Sequence, residues 1–265
     1  MRIGLVLGGG GVVGLAYHAA ALAAIEHDLG WDPRRADVVV GTSAGSLVGA
    51  MLRRGIPASD LSAIAVGAEP WASPPAVVRA LADRPDFPPV RLLSLLGRPP
   101  RVPSVGLVTA WLRRPWRLDP VTALASVVPD GTLDLAEHAA AIEEVLGSPW
   151  PPDELWVCAV RHRDLRRIVM GRDIVPRLSS AVTASCAIPG YFRPVEVDGE
   201  RYVDGGVRSP TNADVLRHTA LDLAVIISPM SGRDLRSVGV GPLVRRHARG
   251  KLEAERARQI GRAHV

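Results

Sequence analysis

Cysteine, lysine and aromatic residues are all scarce in this chain, and each scarcity excludes something. Two cysteines in 265 residues, Cys158 and Cys186, cannot staple a disulfide scaffold, and they lack the spacing of a zinc site. Both lie in apolar segments and read as buried free thiols of a reducing compartment. Lys251 is the only lysine, so arginine supplies the rest of the 32 basic residues, against 27 acidic ones and a net charge of +5. Beside so much Ala, Pro, Val and Gly, this balance reads as the coding bias of a GC-rich genome. No basic run is interleaved with aromatics, which make up 4% of the chain, so nucleic acid is not expected as a partner. No G-x-x-x-x-G-K-[ST] run is present, nor a carboxylate cluster suited to calcium, and catalysis is expected to need no metal or cofactor.

A hydrophobic share of 47% over this length supports one α/β domain with a substantial core. Strand-like runs at Ile3–Leu7, Val38–Val40, Leu155–Val160, Arg167–Met170 and Leu221–Ile227 alternate with helical ones. The latter are Leu15–Leu29, Ser46–Leu52, Ala136–Leu146 and Leu178–Cys186. This alternation predicts three layers: a mainly parallel central sheet with helices on both faces. The uncharged stretch Ile3 to Ile25 imitates a signal peptide or a membrane span, but it contains six glycines. It is read instead as a buried strand, loop and helix. No signal peptide or transmembrane helix is therefore expected, and the location is read as cytoplasmic, peripheral to a membrane.

What is there in abundance is glycine in motifs. Gly41-Thr42-Ser43-Ala44-Gly45 closes a β-branched run and opens a helical one. A sharp strand-to-helix turn leaves no room for side chains beside the serine. It also lifts the Ser43 hydroxyl clear of the sheet at a helix N-terminus, which favours negative charge. Ser43 is read as a nucleophile. The run Gly8-Gly9-Gly10-Gly11-Val12-Val13-Gly14 can aim backbone N–H groups at one centre, a nest for a phosphate or an oxyanion alike. Gly9-x-Gly11-x-x-Gly14 also fits a dinucleotide fingerprint. That reading needs an acidic residue near positions 40–43, where the chain has Val40, Gly41, Thr42 and Ser43. Finally, Val195 to Arg201 reads as a hairpin turning at Asp198-Gly199, so that Asp204-Gly205-Gly206 ends the returning strand. The same residues also fit a plain Asp-Gly turn.

Together these segments resemble the patatin-like phospholipase family of lipid acyl hydrolases. The match is Gly9-Gly10-Gly11-Val12-Val13-Gly14, then Gly41 to Gly45, then Asp204-Gly205-Gly206, with Ala184 to Gly190 similar to the segment before the family's aspartate strand. The resemblance spans about residues 3–228, and 60–150 is its poorly matching part. It implies a patatin-like fold and a Ser43–Asp204 dyad without histidine. It further implies an oxyanion hole from Gly9, Gly10 and Gly11, with Gly14, Gly41, Gly45, Gly205 and Gly206 supporting the motifs. The reaction implied is cleavage of fatty-acyl esters of phospholipids or related lipids through an acyl-Ser43 intermediate. Asp204, to act as a base, is expected to be buried with a raised pKa. One departure is Val13, where the family usually carries Arg or Lys to hold the loop.

A histidine-dependent triad would draw on His218, His247 or His264. His218 lies in Asn212–Leu221, read as a solvated helix, and His247 in a basic run. His18 reads as a packed or capping residue. Two further function classes are carried. One is a weakly active or inactive patatin-like protein that binds lipid or a partner; the other is a nucleotide-binding enzyme using the glycine loop.

The stretch at about 57–120 is a Pro/Arg/Trp-rich insertion, read as a cap over the site. Its residues 71–117 are expected to touch an anionic membrane surface through Trp and Arg. Residues 245–259 read as a polar, basic helix. The last six, Ile260 to Val265, match one reading frame of a sequencing adapter and are read as a non-native tail, which leaves 1–259 as one domain.

Overall fold

The computed structural model describes residues 1–72, 120–231 and 247–255. The tail 260–265 and most of the insertion, including all but the first two residues of 71–117, lie outside them.

Three largely apolar runs too short for typical helices form the centre of the sheet. They are β1 (Ile3–Leu7), β2 (Val38–Thr42) and β3 (Glu154–Arg161). β1 pairs in parallel with β2 and with β7 (Leu223–Ile227), and β2 in parallel with β3. β4 (Arg167–Met170) and β6 (Glu200–Asp204) run antiparallel to β3, and β5 (Val195–Val197) antiparallel to β6. The order is β5-β6-β3-β2-β1-β7, with β4 also on β3. The β5–β6 hairpin turns at Asp198-Gly199 with φ of 50° and 79°. Two successive positive φ values favour an Asn or Asp followed by Gly, as the sequence reading expects.

Side chains alternate across the sheet. Leu5, Leu7, Val39, Leu155 and Val157 face a core shared with helices α1 (Gly11–Leu29), α2 (Ala44–Arg53) and α3 (Ala58–Ala65). α6 (Leu178–Ser185) joins the same face. Val6, Val38, Val40, Trp156 and Cys158 face the opposite way, against Ala213, Val215 and Leu216 of a short 3-10 helix. A third cluster joins Ala125 of α4 (Pro120–Val127) to Val160 and Val203. α5 (Ala136–Leu146) packs on α6. Burial on both faces is what near-continuous apolar strands require, and each fully buried leucine contributes roughly 2–3 kcal/mol.

Three expectations change, and the insertion is found to open on a helix. α1 begins at Gly11, so the open part of the glycine run is 8–10 and Gly11 and Gly14 are helical. The insertion starts with a regular helix, since α3 packs along α1 and irregular chain begins only after it. Asn212–Leu221 is not a solvated helix: its 3-10 turn buries Ala213, Val215 and Leu216, although His218 is exposed as expected. The helix at 247–255 is not wholly polar-faced, because Ala248 and Glu255 are buried. Among the described residues, no helix is long and apolar enough to cross a membrane.

The sheet has two unlike ends. Arg53 is buried and donates to Ala36 O (2.8 Å), Arg34 O (2.9 Å) and Glu154 O (2.9 Å), tying the N-terminal ends of β2 and β3. The C-terminal ends of β1 and β2 carry the glycine loop and Ser43, the end where α/β sheets hold their ligands.

Candidate active site

Ser43 sits between β2 and α2 with φ 53° and ψ −124°, a strained conformation for a residue with a side chain. Both neighbouring glycines follow from contact. A Cβ on Gly41 would lie 2.4 Å from Ser46 Cα, and one on Gly45 would lie 2.0 Å from Leu7 O. The turn is held by its own backbone and by two serines. The Ser43 carbonyl accepts from the Ser46 amide (2.8 Å) and hydroxyl (2.6 Å). The Ser43 amide donates to Ser185 Oγ (2.9 Å), whose hydroxyl donates on to Cys158 O of β3 (2.7 Å). Ser43 is 7% exposed and caps the N-terminus of α2.

Asp204 reaches Ser43 through β3. Cys158 pairs with Thr42 at the end of β2, and the next residue, Ala159, pairs with Asp204 at the end of β6. Two distant parts of the chain thus end on consecutive residues of one strand. Asp204 is 6% exposed. Burial pushes its carboxyl up to about 6, opposed by hydrogen bonds from the Gly206 amide (2.7 Å to Oδ1) and the Ser43 hydroxyl. Gly205 is small because a Cβ there would meet Cys158 O at 2.3 Å. A Cβ on Gly206 would lie 3.0 Å from Asp204 Oδ1 and crowd the carboxylate.

The glycine loop runs directly beside the serine: a Cβ built on Gly9 would lie 3.5 Å from Ser43 Cβ. The Gly8 amide donates to Ile227 O (2.9 Å) and the Gly9 amide to Pro210 O (2.7 Å). Gly9 therefore shapes the loop with its amide already engaged, and the amides that open α1, at Gly10 and Gly11, are the donors left. Gly10 needs its missing side chain to clear Gly14 Cα, 2.7 Å from a Cβ, whereas a Cβ on Gly14 would make ordinary contact with Ala44 Cβ at 3.6 Å. Val13 is 80% exposed and holds nothing. Support comes instead from His18, fully buried on α1, whose Nε2 donates to Gly8 O (2.6 Å). Burial lowers its pKa to about 4, so it is the neutral imidazole that makes this bond.

Beside Ser43 lies a cavity of about 500 Å³ lined by residues of α1, α2, α3, α5 and α6, among them Leu15, Met51, Ile64 and Ile142. Its charged or ionisable lining is Glu137, His138, Cys186 and Tyr191, with no arginine or lysine among the described residues. Cys186 is a free thiol, half-buried rather than fully so. Burial, reinforced by the Asp204 charge, pushes it up to about 12 despite hydrogen bonds with Ser46 and Ser43. A neutral thiol does not compete with Ser43 as a nucleophile. Among the described residues, no group of His, Cys, Asp or Glu could hold a metal ion.

Two contributors had no signal of their own in the sequence. Ser185 lies in the segment Ala184 to Gly190 that resembles the family, but nothing local marks its hydroxyl as the acceptor of the Ser43 amide. Asn212, at φ 52°, donates through Nδ2 to Thr42 Oγ1 (3.0 Å) and Gly205 O (3.3 Å), residues adjacent to Ser43 and Asp204.

Comparison with known proteins agrees with this arrangement at the level of family. No curated protein matches the chain. Among solved structures, the crystal structure of VipD from Legionella pneumophila is similar at 17% identity and a TM-score of 0.38. That similarity covers 77% of this chain and 46% of that one, so the chain spans less than half of its length. The family model described as Patatin-like phospholipase matches residues 5–217, which hold every motif above, and the chain belongs to the patatin-like phospholipase family.

Proposed function

We propose that this chain is a serine lipid acyl hydrolase with Ser43 as nucleophile and Asp204 as its base. The observation that carries the reading is a strained serine at the head of a helix, opening on an apolar cavity and hydrogen-bonded to a buried carboxylate of raised pKa. Ionised Asp204 takes the Ser43 proton as Oγ attacks the ester carbonyl. The oxyanion is met by the amides of Gly10 and Gly11, a gain of roughly 3 kcal/mol for each well-aimed donor. The C–O bond to the alcohol or lysolipid breaks, that oxygen takes the proton from Asp204, and acyl-Ser43 remains. Water, deprotonated by Asp204, releases the fatty acid.

The substrate's acyl chain lies in the cavity between α1, α3 and α5. The missing basic lining among the described residues, together with the missing ribose ligand, speaks against the nucleotide reading. Val13 and Tyr17, exposed on α1 one turn apart, and Trp71, 98% exposed, are apolar groups available to a lipid surface. The contact proposed for 71–117 would begin with them. One domain over 1–259 remains our reading.

A fluorophosphonate probe tests the proposal: it is expected to label the wild type on Ser43 and to leave Ser43→Ala unlabelled. The base must be ionised, so kcat/KM is expected to fall about tenfold per pH unit below about 6 and to level above it. Labelling at another residue, or a flat profile from about pH 4 to 8, overturns the assignment. Acyl binding is tested by Ala65→Phe, which fills part of the cavity. It is expected to raise KM for long-chain esters roughly tenfold while leaving short-chain esters unchanged. Equal effects on both chain lengths would move the acyl chain elsewhere.

A further inference from the structure

Residues 209–213, Ser-Pro-Thr-Asn-Ala, take no part in the chemistry above, yet they bond to the glycine loop, to the residue before Ser43 and to the residue after Asp204. Pro210 O accepts the Gly9 amide (2.7 Å), which shapes the glycine loop. Thr211 O accepts from Thr42 Oγ1 (3.5 Å), next to Ser43. Asn212 Nδ2 donates to Thr42 Oγ1 (3.0 Å), to Gly205 O (3.3 Å) and to Ser209 O (2.6 Å). Arg167 Nη1, itself paired with Asp214, holds Asn212 Oδ1 (3.0 Å) and so fixes which way the amide points. The loop, the nucleophile's strand and the residue after the base therefore hang on one short segment.

That segment is held from the far end of the chain. The helix at 247–255 ends its described part on Glu255, whose side chain is buried. Its Oε1 accepts from Ser209 Oγ (2.6 Å), and its Oε2 from Thr211 Oγ1 and from the Ala213 amide (3.2 Å). Ser209 Oγ in turn accepts the Asn212 amide (3.1 Å). Every one of these carboxylate bonds goes to residues 209–213. A buried carboxylate is a poor way merely to attach a helix, because an apolar side chain of similar size avoids the desolvation cost. Its directional bonds to one irregular segment are what an apolar contact cannot supply.

We infer that Glu255 is a positioning residue: it sets the conformation of 209–213 and, through that segment, the mutual placement of the glycine loop, Ser43 and Asp204. The inference rests on the dyad reading. It makes the C-terminal helix part of the catalytic apparatus although no atom of it lines the cavity. Displacing this helix would misalign the base without emptying the acyl site. The effect belongs in kcat rather than KM.

The experiment compares wild type, Glu255→Ala, Glu255→Gln and Ser43→Ala. Turnover of wild type and the Glu255 variants is normalised to fluorophosphonate-titrated sites, that of Ser43→Ala to protein concentration, with hydrogen–deuterium exchange read on the same proteins. Glu255→Ala is expected to lower kcat roughly 10- to 100-fold with KM within about twofold. Glu255→Gln, which keeps acceptor capacity, is expected to restore most of it. Exchange is expected to quicken in peptides covering 8–10 and 205–213 and to stay unchanged in β3. A kcat for Glu255→Ala within about twofold of wild type overturns the inference, as does uniform quickening over the whole sheet. Should Glu255→Ala not fold, Ser209→Ala removes one of the three bonds to Glu255, along with the acceptor of the Asn212 amide, and is expected to lower kcat roughly threefold or more; an unchanged kcat there overturns it equally. If Ser43→Ala keeps its turnover, the dyad reading fails instead, and exchange still reports what Glu255 holds.

Discussion

Asp204→Asn is expected to leave a folded protein that turns over at least about a thousandfold more slowly and melts at a higher temperature than wild type. The amide keeps an Oδ1 acceptor for the Gly206 amide but has no basic lone pair for the Ser43 proton. The gain in stability follows from linkage. The folded pKa is about 6, against 3.8 for an ordinary aspartate. Between these values the folded state holds a proton that the unfolded state has lost, so stability falls as pH rises through the window and stays low above it. At neutral pH the wild type carries the full desolvation cost, at most about 3 kcal/mol, and the amide removes it. Melting curves should show the advantage of the variant growing from about pH 4 to 7 and constant beyond. A variant that is less stable than wild type at about pH 8 would mean the carboxylate is a structural anchor rather than a tolerated burden.

Gly45→Ala carries the other large effect. One methyl group would stand 2.0 Å from Leu7 O and 2.8 Å from Gly8 O, both backbone atoms of the strand and loop facing Ser43. Neither can move without separating α2 from β1, so a loss of about 4 kcal/mol or more is expected, with no probe labelling in whatever remains soluble. Gly14→Ala is the control, because its methyl meets Ala44 Cβ at 3.6 Å, and helix propensity favours it by up to about 1 kcal/mol. Thermal melts of the pair, run with the probe, check both outcomes. A Gly45→Ala protein that melts with the wild type would show that contact sterics do not explain the second glycine of the elbow.

The parts of the site that could be read from sequence are those where the backbone leaves one residue type no alternative. Gly41, Gly45 and Gly205 stand against backbone atoms, and Asp198-Gly199 needs two positive φ values. Each leaves a mark in the amino-acid string. The strands and most helices were legible for a related reason, since burial on both faces of the sheet demands long apolar runs. Hydrogen-bond roles left no mark. Gly9 belongs to the glycine run whether its amide faces a substrate or Pro210, and only coordinates separate the two. His18 supplies support that the exposed Val13 lacks, but a histidine inside an apolar helix looks the same whether it packs or donates. Asn212 and Glu255 act on residues more than forty positions away in sequence, and no local pattern encodes such pairs.

The register of β2 and β3 has a consequence for how such a protein can diversify. The two strands are hydrogen-bonded neighbours, Thr42 opposite Cys158, yet among the described residues the chain leaves the sheet at Thr42 and rejoins it at Glu154. Everything between is an excursion from one pair of fixed points. Doubling the length of such an excursion adds only about 0.6 kcal/mol of closure entropy. α3 and α5, which line the cavity, are both part of it, whereas β6 and the 209–213 segment are not. The walls that α3 and α5 contribute are thus carried on a stretch that does not include Asp204 or its supporting segment, although Ser43 opens that stretch and α1 and α6 line the cavity from outside it. Beyond α2 the crossover can be rewritten, in length or composition, with Ser43 and Asp204 left in place.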